Sequence, residues 1–258
     1  MKTALLLSGH MRYFKECFSS LKRSILDVLN PDIYIHTWDE QDRSMWNDAV
    51  SNLNERFIEE YNIPVKKIVV EKWSEAEPRL NEKLAKIGNR VDYFKPIRMI
   101  SMYYKIQECF KLMGDDTYDL VIRARPDLFY ENIVENNFQD LGDFIKIPKS
   151  YSNPRIAVKD LNLNFQIDDY LKGGQDRIDS YFVGEPNDCG GYLDQFAIGD
   201  YNSMKSYCYA YDAFDNYSSQ GYNFSGPEVT LKYHLDSNNL NIMRDDLKFY
   251  IMRNWRFL

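Results

Sequence analysis

The sequence predicts an α/β fold, a Rossmann-like mixed sheet flanked by helices, and three observations carry that expectation. Residues 3–7 form a continuous apolar run ending in Ser8-Gly9, the pattern of a strand buried on both faces in a parallel sheet. From Tyr13 the spacing of apolar residues becomes helical, and after Asn30-Pro31 a second short strand follows at Ile33-Tyr34-Ile35. A strand, a helix and a strand within about forty residues make a right-handed βαβ unit. Alternating strand and helix patterns then continue through the first half of the chain, as in a doubly wound sheet.

Each element has its own justification. Phe14, Phe18, Leu21, Ile25 and Val28 recur on one helical face, opposite Lys15, Glu16, Lys22 and Arg23. Residues 45–61 read as a helix through Trp46, Val50, Leu53, Phe57 and Tyr61. Lys67-Ile68-Val69-Val70 reads as a third strand, and the polar stretch 71–94 as a short helix in a mobile excursion. Residues 97–113 form a strong helix with Met102, Ile106, Cys109, Phe110 and Met113 aligned, a spacing that belongs to core packing. Arg98, Ser101 and Lys105 lie elsewhere on that helix as weaker ligand candidates.

The central stretch is 118–130. An apolar strand runs into Arg123 and Arg125, is stopped by Pro126, and leaves Asp127 just beyond. Alternation places Val121, Arg123 and Arg125 on one face, where two guanidiniums repel unless an anion or a carboxylate faces them. Pro126 cannot donate to a ladder, so regular pairing is expected to end there. Later segments are a strand at 143–147, a long loop at 149–178, a strand at Tyr181-Phe182-Val183, a glycine-paired segment leading to Asp194-Gln195, helices at 201–214 and 227–235, and strands at 240–243 and 249–252. No internal repeat or low-complexity tract interrupts the 258 residues, which read as a single domain with a nucleotide-binding half at 1–130 and an acceptor-side half at 131–258.

Composition narrows the function. The net charge of −7 argues against a non-specific nucleic-acid binder, which needs a basic footprint. An aromatic content of 15%, including 20 Tyr, suits a site that stacks on rings or hydrogen-bonds sugars. Cys17, Cys109, Cys189 and Cys208 are scattered without a C-x-x-C pair, which points away from a zinc site or a disulfide framework and towards a reducing compartment. The opening residues do not form a signal peptide, and no run approaches the ~18 apolar residues of a membrane helix. A cytoplasmic location is expected, with the basic-aromatic ending 253–258 as a possible peripheral membrane contact.

The candidate chemistry gathers at strand ends. If the first two strands are parallel neighbours, Ser8-Gly9-His10 with Arg12, and His36-Thr37-Trp38-Asp39, share one edge of the sheet. Gly9 lets a ligand approach the backbone, and the following helix start offers N–H groups to an anion. Arg12 can pair with phosphate and Asp39 can accept from a ribose hydroxyl or a base. Arg123 and Arg125 beside Asp127 suggest arginines for phosphate next to a carboxylate for a metal, a site for a nucleotide diphosphate. A rival reading makes His10, His36, Asp39 and Asp127 a metal site for phosphoester hydrolysis, although no paired-ligand spacing such as H-x-H or H-x-D occurs. Another is a non-catalytic nucleotide-sugar or carbohydrate-binding protein of the same fold.

Four segments together resemble the GT-A nucleotide-sugar glycosyltransferases, in particular uncharacterised glycosyltransferase-like proteins of bacteria and large viruses. They are residues 5–12, 30–39, 121–127 and 194–199, in that order. The resemblance implies transfer of a sugar from a UDP- or GDP-linked donor to a hydroxyl of a glycan or glycoconjugate. It places the donor over the first strand ends, at Ser8, Gly9, Arg12, Thr37, Asp39, Arg123 and Arg125. It also implies a divalent cation, Mn²⁺ or Mg²⁺, on an Asp-X-Asp step; the equivalent here is Arg125-Pro126-Asp127, which carries Asp127 over as the ligand and lacks the first aspartate. Asp194 matches an acceptor-side carboxylate that would take the proton from the attacking hydroxyl. His234 is implied as a further metal ligand, against its plainer reading as a structural histidine.

Overall fold

The computed structural model describes residues 1–11, 13–39, 63–88, 96–131, 144–148, 191–245 and 249–251. The expected helix at 45–61, loop at 149–178 and strand at 181–183, together with the 253–258 ending, lie outside the described residues. Seven strands form one sheet: β1 (Thr3–Ser8), β2 (Asp32–Trp38), β3 (Val65–Glu71), β4 (Leu120–Ala124), β6 (Phe144–Pro148), β7 (Phe196–Gly199) and β8 (Asn241–Asp245), with β5 (Leu128–Tyr130) and β9 (Phe249–Ile251) paired apart from it. The sheet order is β3-β2-β1-β4-β7-β6-β8. Of these strands only β7 runs against the rest, antiparallel to both β4 and β6.

β1 is the hub. All six of its residues are buried, and it pairs in parallel with β2 on one side and β4 on the other. That is why its sequence is apolar without alternation: both faces are covered. Helix α1 (Phe14–Leu21) continues through a π-helical turn, Lys22–Leu26, and a last turn, Asp27–Leu29. Asn30 closes it in the left-handed conformation at φ 43°, a role asparagine fills at little cost, and Pro31 keeps it from resuming.

The polar stretch expected as a short excursion is instead a helix of 15 residues, α2 (Trp73–Ile87), with Ala76, Leu80 and Ile87 buried. Leu84 packs partly buried on the same stripe, so the helix is held by one narrow apolar face despite Pro78 in its interior. It docks on α3 (Pro96–Lys111) and α5 (Ala210–Ser219). The helix expected over 201–214 is broken at Tyr209 into α4 (Tyr201–Cys208) and α5. The Asp200 side chain caps α4, with Oδ1 accepting from the Asn202 and Ser203 amides at 2.8 and 3.0 Å. The last described helix is α6 (Pro227–Ser237), with Pro227 in its first turn. Pro126 ends β4 as expected; beyond it Leu128–Tyr130 leaves the main sheet and pairs with β9 over α1.

Candidate functional site

The chain builds β1, β2 and β3 outward in one direction, then returns to place β4 on the other side of β1. Strand order therefore reverses between β1 and β4, and open α/β sheets bind ligands outside the carboxyl ends of the strands at such a point. The register fixes what stands there. Leu7 pairs with Ala124 and Ser8 with His36, so Ser8-Gly9, the end of β2 and Arg125 lie along one edge. Because β7 is reversed, its beginning meets the same edge: Ala124 pairs with Phe196, and the Arg125 amide donates to the Gln195 carbonyl at 3.0 Å. Four segments far apart in sequence, ending at Gly9, Asp39 and Asp127 and starting at Asp194, are brought together.

Their side chains differ in what they face. Ser8 is buried, and its hydroxyl has no hydrogen-bond partner among the described residues. Gly9 holds φ at +110°, and the space where a Cβ would stand is open; glycine is needed there for its conformation rather than for close packing. Asp39 is exposed, with its amide tied to the Glu71 carbonyl at 3.0 Å. Thr37, by contrast, is fully buried, and it is its carbonyl that accepts a bond, from Lys105 Nζ at 3.1 Å. Arg12 lies outside the described residues.

The two arginines part company. Arg123 is buried, and Nη1 donates to the main-chain carbonyl of Asp194; its Nε has no partner among the described residues. It sits below the edge and braces the turn that leads into β7. Arg125 is partly open, and it closes a two-pronged ion pair on Asp127: Nε to Oδ1 at 2.8 Å and Nη2 to Oδ2 at 2.7 Å. The Asp127 side chain is 1% exposed. The carboxylate that relieves guanidinium repulsion is thus the one two residues along the chain.

These contacts bear on the expected cation. Both Asp127 oxygens are engaged by a guanidinium, and among the described residues no group of three His, Cys, Asp or Glu side chains could hold a metal ion. The described donor set does not fit a resident divalent cation. Nor do the residues of the hydrolase reading assemble. His36 is buried in the core, 4.0 Å from Glu71 through Nε2, and burial, helped by the Lys105 charge, drives its pKa down to about 3. His234 has both ring nitrogens in use, Nδ1 with Tyr217 Oη and Nε2 with the Ser206 carbonyl, each at 2.7 Å.

Asp194 is buried at the head of β7, with Oδ1 accepting from Gln195 Nε2. Two buried phenols feel its charge. Burial first, then Asp194, pushes the Tyr103 hydroxyl above the usual tyrosine range; burial also raises Tyr207, opposed by the Arg123 charge and reinforced by Asp194. Tyr103 donates to the Pro227 carbonyl at 2.7 Å and so ties α3 to the start of α6. That start is also fixed by Gly191. A Cβ on Gly191 would overlap the main chain of Glu228 and Val229, and the Tyr192 amide donates to the Glu228 carbonyl at 3.0 Å.

One cluster escapes a reading for strand-end motifs. Lys105 is 1% exposed, with Nζ 2.8 Å from Glu71 Oε2 and 3.4 Å above the Trp38 ring. Burial lowers its pKa to about 8 against the pull of Glu71. Glu71 in turn accepts from Tyr104 at 2.9 Å and pairs with Arg79 at 3.4 Å. Burial pushes the Glu71 carboxyl up, but the Lys105 bond and charge outweigh it and hold it low. The cluster locks the ends of β2 and β3 to α3 and so holds Asp39 at the edge. The signal was weak: Lys105 stands three residues after Met102 and four before Cys109, yet the sequence set it off the apolar stripe as a ligand candidate.

No helix among the described residues is long and apolar enough to cross a membrane. No family model and no curated protein matches the chain. Among solved structures, mouse xyloside xylosyltransferase 1 in its apo form is similar over 95% of this chain and 84% of that chain, at 9% sequence identity and a TM-score of 0.47.

Proposed function

We propose that this protein transfers a sugar from a nucleoside-diphosphate donor to a hydroxyl of a glycan or glycoconjugate. The observation that supports the reading best is the convergence at the switch point between β1 and β4, where an open glycine backbone and a fixed arginine fork stand beside a buried carboxylate at the head of β7. Gly9 admits the diphosphate close to the main chain, and Arg125 meets its charge. The exposed Asp39 at the end of β2 accepts from the ribose or the base. Asp194 takes the proton from the attacking acceptor hydroxyl. As the new C1–O bond forms, the bond from C1 to the diphosphate oxygen breaks, and its electron pair leaves with the nucleoside diphosphate. Guanidinium N–H groups aimed at that oxygen stabilise the charge that develops.

The test is release of nucleoside diphosphate from UDP- and GDP-sugars by wild type and Asp194→Asn, with nucleotide affinity measured alongside. Loss of a general base lowers turnover by about 10²–10⁴-fold, and nucleotide affinity is expected to stay unchanged. Equal turnover in the two proteins would remove Asp194 from the chemistry. Nucleotide binding without turnover in wild type would leave a binding protein of this fold.

A further inference from the structure

We propose that Asp127 is a positioning residue for Arg125, and that the donor's diphosphate is bound through the Arg125 guanidinium without a divalent cation. The inference rests on the donor-site reading above and assigns the charge chemistry within it.

The geometry has three parts. First, the pair is side-on: Asp127 takes Nε and Nη2 of Arg125 at 2.8 and 2.7 Å. A guanidinium is planar with five N–H donors, so fixing two of them sets the direction of the others. Second, burial is unequal. Asp127 is 1% exposed and Arg125 17%, so the carboxylate is the buried partner and the cation the more accessible one. Third, both ends of the fork are anchored. The Arg125 amide is held by the Gln195 carbonyl at 3.0 Å, and Pro126 fixes φ between the two charged residues.

A divalent cation at Asp127 would have to displace the guanidinium or share the carboxylate with it, setting two positive charges against one negative in a poorly solvated place. Mg²⁺ also keeps much of its water and asks for oxygen ligands that can turn towards it. The oxygens here are directed at nitrogen. An arginine braced by a buried carboxylate is instead suited to a phosphate oxygen pair, which a planar fork meets with two parallel bonds.

The experiment is calorimetric titration of UDP and GDP, in EDTA and in excess Mn²⁺, on wild type, Asp127→Asn, Arg125→Lys and Arg125→Ala, with circular dichroism to verify folding. Wild type is expected to bind one nucleotide equally well in EDTA and in Mn²⁺. Arg125→Lys loses the fork and is expected to bind at least about tenfold more weakly, and added guanidinium is expected to restore part of the affinity of Arg125→Ala. Asp127→Asn keeps one acceptor for Nε and is expected to bind with an intermediate affinity that Mn²⁺ does not change. A merely structural role for Arg125 would give no guanidinium rescue and would overturn the proposal. Binding by wild type that needs Mn²⁺, is lost in Asp127→Asn and survives in Arg125→Lys would overturn it as well and return Asp127 to metal duty. Absence of nucleotide binding in either medium would overturn the donor site itself, and this assignment with it.

Discussion

Lys105 shows how much a single buried charge can organise. Its ammonium lies between the Glu71 carboxylate, the Thr37 carbonyl and the Trp38 ring, with almost no access to water. The same contacts that satisfy it fix the ends of β2 and β3. Removing one partner of a buried pair leaves the other charge uncompensated, which costs about 3–5 kcal/mol. Glu71 keeps Tyr104 and Arg79, so Lys105→Met is expected near the lower end, about 3 kcal/mol, measured by urea denaturation. Adding Glu71→Gln to that variant should recover part of the loss; a double mutant as unstable as the sum of the singles would show that the pair is not coupled. The sequence set Lys105 off the apolar stripe of α3 as a ligand candidate, and nothing in its own segment named Glu71, which is 34 positions away.

Between elements, residue 191 lies tightly against the start of α6. The main chain of Glu228 and Val229 occupies the space a side chain would need at Gly191, and the Tyr192 amide bonds across the same contact. Gly191→Ala must therefore push the lead-in to β7 away from α6. Such overpacking costs about 1–3 kcal/mol, and backbone on both sides places this site at the upper end. The expected result is a lower Tm together with reduced turnover, because Asp194 follows three residues later; an unchanged Tm would show that the two segments can part freely. In the sequence the glycine pair showed only as a lead-in to Asp194-Gln195. That Gly191 serves close packing between β7 and α6 required knowing what lay against it.

At the scale of the whole molecule, His36 and the carboxylates of Asp32 and Asp116 all make the fold less stable in acid. His36 has its folded pKa lowered from 6.5 to about 3. In that interval the unfolded chain binds a proton that the folded one refuses, so stability is full above pH 6.5 and falls as pH drops below it. At the opposite edge of the sheet, Lys66 bridges Asp32 at 3.0 Å and Asp116 at 2.8 Å. Asp32 is lowered chiefly by its hydrogen bond from Tyr118, and Asp116 by its bond from Lys66. Depressed carboxylates contribute above their usual range and lose that contribution as pH falls through the folded value, so this second loss begins below about pH 3.8. Burial lowers His234 as well, so denaturation followed against pH should show a first decline starting at 6.5, with a slope of at most about 1.4 kcal/mol per pH unit for each histidine. His36→Gln is expected to shrink that first decline and leave the second; an unaltered profile would assign the decline to other groups.

The sequence alone determined the hub strand, the βαβ start, the end of β4 at Pro126 and the long helix α3, because each depends on local periodicity or on the covalent limits of proline. It also placed Ser8-Gly9, Thr37-Trp38-Asp39 and Arg125 at strand ends, where the fold gathers them, but it left Asp194 in a glycine-paired segment and did not foresee β7, which Asp194 leads into. It understated α2, where a proline and many charges obscured the narrow stripe of Ala76, Leu80, Leu84 and Ile87. The tertiary structure alone decided what each charge faces. Arg123 and Arg125 alternate onto one face of a strand, yet one is buried under Asp194 and the other is forked by Asp127. His36 and Asp39 end the same strand, and one is in the core while the other is in water. Periodicity reports which side of an element is covered, a property of neighbours in sequence. Ion pairing and desolvation depend on groups that folding brings within a few ångströms, and those distances exist only once the sheet is assembled.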